Sequence, residues 1–136
     1  MNDKELSLYQ RIGGENSVRQ LVTRFYDHME TLEEARHLLS LHNDLADSRE
    51  KLYQYFTGWF GGPPLFVEKY GHPRLRARHN HVEIGVADRD VWLMCLVKAL
   101  SEMRLAPELQ QDLMEKIAPM ADHMRNLDED EPPVDC

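Results

Sequence analysis

Apolar positions along this chain recur with the period of helices rather than strands. Val18, Leu21, Val22, Phe25 and Met29 fall at i, i+3, i+4, i+7 and i+11, one face of a 3.6-residue repeat, with Tyr26 beside it. The spacing predicts a helix there, preceded by a short one over residues 5–11 that stops at Gly13-Gly14, residues free to take a tight or left-handed turn. Residues 31–45 are less regular and predict a short helix, then a corner at His42-Asn43-Asp44. Asp44 or Asp47 is suited to cap the next helix, in which Leu45, Ser48, Leu52, Tyr55, Phe56 and Trp59 share one face. Gly61-Gly62-Pro63-Pro64 ends that helix, and a loop carrying Phe66 and Tyr70 is expected after it. Asp88 is expected to start a helix apolar almost all round, with Val91, Trp92, Cys95, Leu96, Ala99 and Leu100 among its members, and hence the central buried one. Pro107 suits the first turn of the last helix, where Leu109, Leu113, Ile117, Met120 and Met124 keep the period. Pro119 lies inside that pattern and is expected to kink or divide it. No strand-like alternation runs to a useful length. The predicted fold class is all-α, with four substantial helices and a long irregular connection before the central one.

The bulk numbers narrow the function classes. The chain has 136 residues, enough for one domain with a real core, and is 42% hydrophobic and 29% charged. Its net charge of −8 argues against a nucleic-acid surface, which requires a basic patch. No apolar run approaches a membrane span, and the first residues, Met-Asn-Asp-Lys-Glu, have no apolar core of a secretory signal. Cys95 and Cys136 make no disulfide framework, so a cytoplasmic protein is expected. Residues 1–127 are expected to form the domain, and the acidic, proline-bearing tail over 128–136 to be disordered.

Candidate chemistry concentrates in residues 71–85, Gly-His-Pro-Arg-Leu-Arg-Ala-Arg-His-Asn-His-Val-Glu-Ile-Gly, where an X-Pro turn feeds an arginine-studded segment that delivers His79. His79 and His81 form His-x-His, a spacing that clamps a metal on an extended segment, but no third ligand lies at a standard spacing. A di-iron bundle requires two Glu-x-x-His motifs, and the chain has only Glu34-Ala-Arg-His37. A haem site asks for less: one axial imidazole, an apolar slot, and cations for the propionates. Arg76, Arg78 and Lys51 are candidate cations, against the plainer reading of solvated surface charges.

Several motifs in order resemble one family. They are Gly13-Gly14 after a short first helix, Phe25-Tyr26, Gly61-Gly62-Pro63-Pro64, the run from Gly71-His72-Pro73 to Arg76-Ala77-Arg78-His79, and Asp90-Val91-Trp92. With this order and spacing the chain resembles a truncated haemoglobin of the second group. The resemblance implies a shortened globin, a two-over-two helical sandwich around haem b. It implies His79 as the proximal iron ligand, and Tyr26 and Trp92 on the distal side. It puts Ser48 at the gate of the distal helix, Leu52 one turn deeper over the ligand, and Lys51 beside a propionate. At the corner packed on the haem it implies His42, with His37 as competitor. The implied activity is binding of O2, NO or CO at a pentacoordinate iron, with slow O2 release that suits detoxification of NO, peroxide or peroxynitrite better than bulk oxygen carriage. A reductase partner and a monomer or weak dimer follow from the same resemblance. One departure is that Asn80-His81-Val82 stands where the family often has a residue followed by Pro-Phe. Two other classes stay open: a non-haem metal protein using His79 and His81, and a helical interaction module whose histidines are incidental.

Overall fold

Ser7 opens the helical structure with a reciprocal cap, its hydroxyl accepting the Gln10 amide while the Gln10 side chain accepts the Ser7 amide. The computed structural model describes residues 6–42, 44–71 and 84–123. Helix α1 (Leu8–Ile12) ends at Gly13 with φ +116°, and Gly14 follows at +80°, so the left-handed turn expected there is present. Helix α2 (Glu15–Thr31) buries Val18, Leu21, Val22, Phe25, Tyr26 and Met29, the face its period marked out. A 3-10 turn (Glu33–Ala35) and α3 (Arg36–Ser40) make the short irregular stretch. Asp44 then caps α4 (Leu45–Trp59), accepting the Asp47 amide at 3.2 Å. Helices α5 (Leu65–Tyr70), α6 (Val86–Glu102) and α7 (Pro107–His123) complete the described chain. All regular structure among the described residues is helical.

Packing follows from the apolar faces. Helix α2 lies against both α4 and α6, α6 lies against α7, and α5 folds back on α4. One pair, α2 and α4, therefore sits over the other, α6 and α7. Phe25, Met29, Phe56, Phe60, Leu96, Leu100, Leu113 and Ile117 interlock between the pairs and are almost fully buried. None of the described helices is long and apolar enough to cross a membrane.

Five sequence expectations change in detail. The core side of α4 is Tyr53, Phe56 and Thr57, continued by Phe60; Leu45, Ser48, Leu52, Tyr55 and Trp59 form a separate stripe that is only half-buried. The Thr57 hydroxyl is buried at no cost in hydrogen bonding because it donates to the Tyr53 carbonyl at 2.8 Å. The expected loop after the prolines is helix α5. Pro63 and Pro64 lack amide hydrogens, but a helix start has no use for them, so the same residues stop α4 and open α5. Phe66 then buries its ring 5.9 Å from that of Tyr55. Helix α6 begins at Val86, and Asp88 serves inside its first turn by accepting the Gly85 amide at 3.3 Å. It is also not buried all round, since Cys95, Leu96, Ala99 and Leu100 are covered while Val97 is 39% exposed. Finally, α7 runs undivided through Pro119. Pro119 and Glu115, whose carbonyl that ring cannot serve, are both exposed, so water can take the carbonyl. Met124 and the acidic tail lie outside the described residues.

Pro119→Ala is expected to restore the missing bond and raise stability by about 1–3 kcal/mol, read as a higher urea midpoint with an unchanged slope.

Candidate functional site

Phe25 is fully buried where α2 meets α6, and two polar-tipped aromatics pack against it. The Tyr26 ring meets it edge-on at 5.0 Å and 86°, and Trp92 from α6 approaches at 4.9 Å and 62°. The corner after α3 brings a third ring, His42, onto Tyr26 at 5.8 Å and 88°. The structure thus sets Tyr26 and Trp92 on one buried phenylalanine and His42 on Tyr26.

The proton positions follow from the partners. His42 Nδ1 lies 2.9 Å from the Leu38 carbonyl oxygen, which can only accept, so Nδ1 carries the hydrogen. In the neutral ring Nε2 is then an acceptor. His42 can therefore receive a hydrogen bond from the Tyr26 hydroxyl but cannot donate from Nε2 while neutral. Burial pushes the Tyr26 phenol well above its ordinary range, with the Arg49 charge opposing, so the group stays an O–H donor. Among the described residues no hydrogen bond is seen to the Tyr26 hydroxyl or the Trp92 indole N–H. Trp92 is half-buried, and neither donor atom is among the fully buried unpaired ones, so both stay accessible to a guest with acceptor atoms.

Helix α4 supplies a wall. Ser48 and Leu52 stand one turn apart on its half-buried stripe, which Tyr55 and Trp59 extend. Lys51 is exposed beside that stripe, 2.8 Å from Asp47, with its ammonium 5.6 Å from the Tyr70 ring. His37, the competitor for the corner, is elsewhere: its Nδ1 is 2.7 Å from Asp88 and its side chain is 64% exposed. His42 therefore holds the place next to Tyr26. His79, His81, Arg76 and Arg78 lie outside the described residues. Among the described residues no three His, Cys, Asp or Glu side chains come together to hold a metal ion. The His79–His81 metal alternative lies wholly outside them.

Two site neighbours escaped the sequence reading. Phe25 looked like plain core, since its period is that of any buried residue. Arg49 reaches from α4 to α2 and sets its guanidinium 5.5 Å from the Tyr26 ring centroid. No local signal marks it, because its partners are 19 to 26 positions back in the chain. The half-buried apolar stripe and the two unpaired donors together fit a flat apolar group carrying a polar ligand.

The bacterial-like globin family matches residues 7–126. The group 2 truncated hemoglobin YjbI of Bacillus subtilis is 35% identical over 123 residues, 90% of this chain and 91% of that protein. The chain belongs to the group II truncated hemoglobins. This globin is also similar to the solved group II 2-on-2 hemoglobin of Agrobacterium tumefaciens, with 43% identity, a TM-score of 0.88, and coverage of 95% of this chain and 100% of the other. The cold-adapted truncated hemoglobin of Pseudoalteromonas haloplanktis gives 37% identity and a TM-score of 0.86, covering 90% and 99%. The two helix pairs are the 2-on-2 globin arrangement, and globin membership implies haem-based binding of small gaseous ligands.

Cys95 sits one turn beyond Trp92 and is fully buried, and burial pushes its thiol up to about 11. In a Cys136→Ser variant the folded globin is expected to leave Cys95 unmodified by a thiol reagent at pH 8, with reaction only on unfolding in urea; prompt labelling of that folded variant would contradict its burial.

Proposed function

We propose that this globin binds haem b against the half-buried stripe of α4, beside Tyr26 and Trp92, that His79 would hold its iron, and that the bound group takes O2, NO or CO. The observation that carries the reading is the pair of donors, Tyr26 O–H and Trp92 N–H, set on Phe25 with no described partner. When bound, the haem supplies an iron with one free coordination position. The chain's own residues do the rest. Tyr26 and Trp92 donate to the ligand's partial negative charge in a dry site, where fixed dipoles act more strongly than in water. His42, with Nδ1–H held by the Leu38 carbonyl, offers Nε2 to the Tyr26 hydroxyl and limits its rotation. Leu52 shapes the cavity without donating, and Ser48 stands at its mouth. Lys51 and Arg78 would meet the propionates. The exposed Asp47 pair does not tie Lys51 down, because surface pairs of this kind are weak.

Several donors that must break together favour slow release of O2. That suits redox handling of NO, peroxide or peroxynitrite in the cytoplasm, with electrons from a reductase, better than carriage. The domain that performs it is residues 1–127, with 128–136 as a tail.

The test is the absorption spectrum of the reduced protein with and without CO. A Soret band that shifts with CO and is lost in His79→Ala is expected. Tyr26→Phe and Trp92→Leu are each expected to speed O2 dissociation by about ten-fold or more, the scale of one hydrogen bond in a water-poor site. Unchanged off-rates in both variants would remove Tyr26 and Trp92 from the ligand's surroundings.

A further inference from the structure

Arg49 has no part in the reading above. It leaves α4 beside Ser48 and crosses to α2, where Nη2 lies 3.2 Å from Asp27 Oδ1 and 3.3 Å from Glu30 Oε1. Nη1 reaches the Thr23 carbonyl oxygen at 3.4 Å. Along α2 these acceptors stand about one turn before Tyr26, next to it, and one turn after it. The rigid guanidinium fork is thus tied on both sides of the tyrosine and held 5.5 Å from its ring centroid. Its side chain is 26% exposed, whereas Asp27 and Glu30 are 59% and 43% exposed. Water therefore screens the two carboxylates more than the cation, and the net field at the phenol is that of a positive charge. A cation facing an aromatic ring draws on its electron density and makes the O–H a better donor. A second arginine clamp, Arg19 on Glu50 at 2.6 Å and over the Tyr53 ring at 3.6 Å, fastens the same two helices away from Tyr26. Helix association thus does not rest on Arg49 alone.

We infer that Arg49 is a positioning residue for Tyr26, fixing the phenol between α2 and α4 and strengthening its hydrogen bond to a diatomic ligand. This rests on the haem reading. Arg49 touches neither the ligand nor the haem in this role; it acts through the tyrosine.

The haem-loaded full chain tests it. Arg49→Gln is expected to speed O2 dissociation about five-fold and to raise the C–O stretching frequency of the CO complex, the signature of a weaker donor. Arg49→Lys, which keeps the charge but not the fork, is expected to recover most of the frequency shift and only part of the off-rate. In a Tyr26→Phe background Arg49→Gln is expected to change neither quantity. The double variant Asp27→Asn with Glu30→Gln removes the carboxylates that hold the fork while keeping the cation; loss of positioning is expected to speed O2 dissociation, and an off-rate that is unchanged or slower would overturn the positioning role. That variant also serves if Arg49→Gln does not fold. An unchanged stretching frequency in every Arg49 variant that folds, or a shift of equal size without the Tyr26 hydroxyl, overturns the inference. A parent protein with no Soret band would instead overturn the haem reading.

Discussion

The contact of the Phe25 ring with Tyr26 and Trp92 is the constraint on which the rest of the candidate site depends. Phe25 belongs to α2, Trp92 to α6, and the two rings meet at 4.9 Å inside the interface that joins the upper helix pair to the lower. Protein interiors are close-packed, so a fully buried ring between two helices leaves its neighbours little freedom. The edge-on geometry that aromatic quadrupoles prefer then aims the phenol and the indole as a consequence of core packing. Two side chains from distant parts of the sequence are presented together without a hydrogen bond between them.

Helix α4 shows how one element serves both core and site. Tyr53, Phe56, Thr57 and Phe60 close the core, while Leu45, Ser48, Leu52, Tyr55 and Trp59 run beside them as a half-buried stripe. Apolar surface left in this state costs about 25 cal/mol per Å2 relative to burial, so a bound planar group that covers it would stabilise the chain. In the haem reading, that energy is part of what holds the macrocycle.

The polar groups divide into those that build and those that stay available. His37 and the Gly85 amide both converge on Asp88, tying α3 to the start of α6. His42 spends Nδ1 on the Leu38 carbonyl and keeps Nε2 open. Histidines five positions apart thus take opposite roles, one exposed and structural, the other turned onto Tyr26.

Periodicity alone determined the long helices, because an amphipathic repeat is local information. The face of α2 from Val18 to Met29 and that of α7 from Leu109 to Ile117 are buried as the spacing requires. The glycine turn at Gly13 and the Asp44 cap were legible for the same reason, since each depends on a few adjacent residues. The motif order also carried the family. Local pattern failed where a residue's partner lies far along the chain. It did not separate the core side of α4 from its open stripe, and it read Leu65–Tyr70 as a loop because so short a helix depends on tertiary packing such as that of Phe66 on Tyr55. It left His37 and His42 as competitors, and only the corner's path sends one to Asp88 and the other to Tyr26. Arg49 had no signature at all, because a guanidinium gains meaning here only when two helices cross and bring Thr23, Asp27 and Glu30 within its reach.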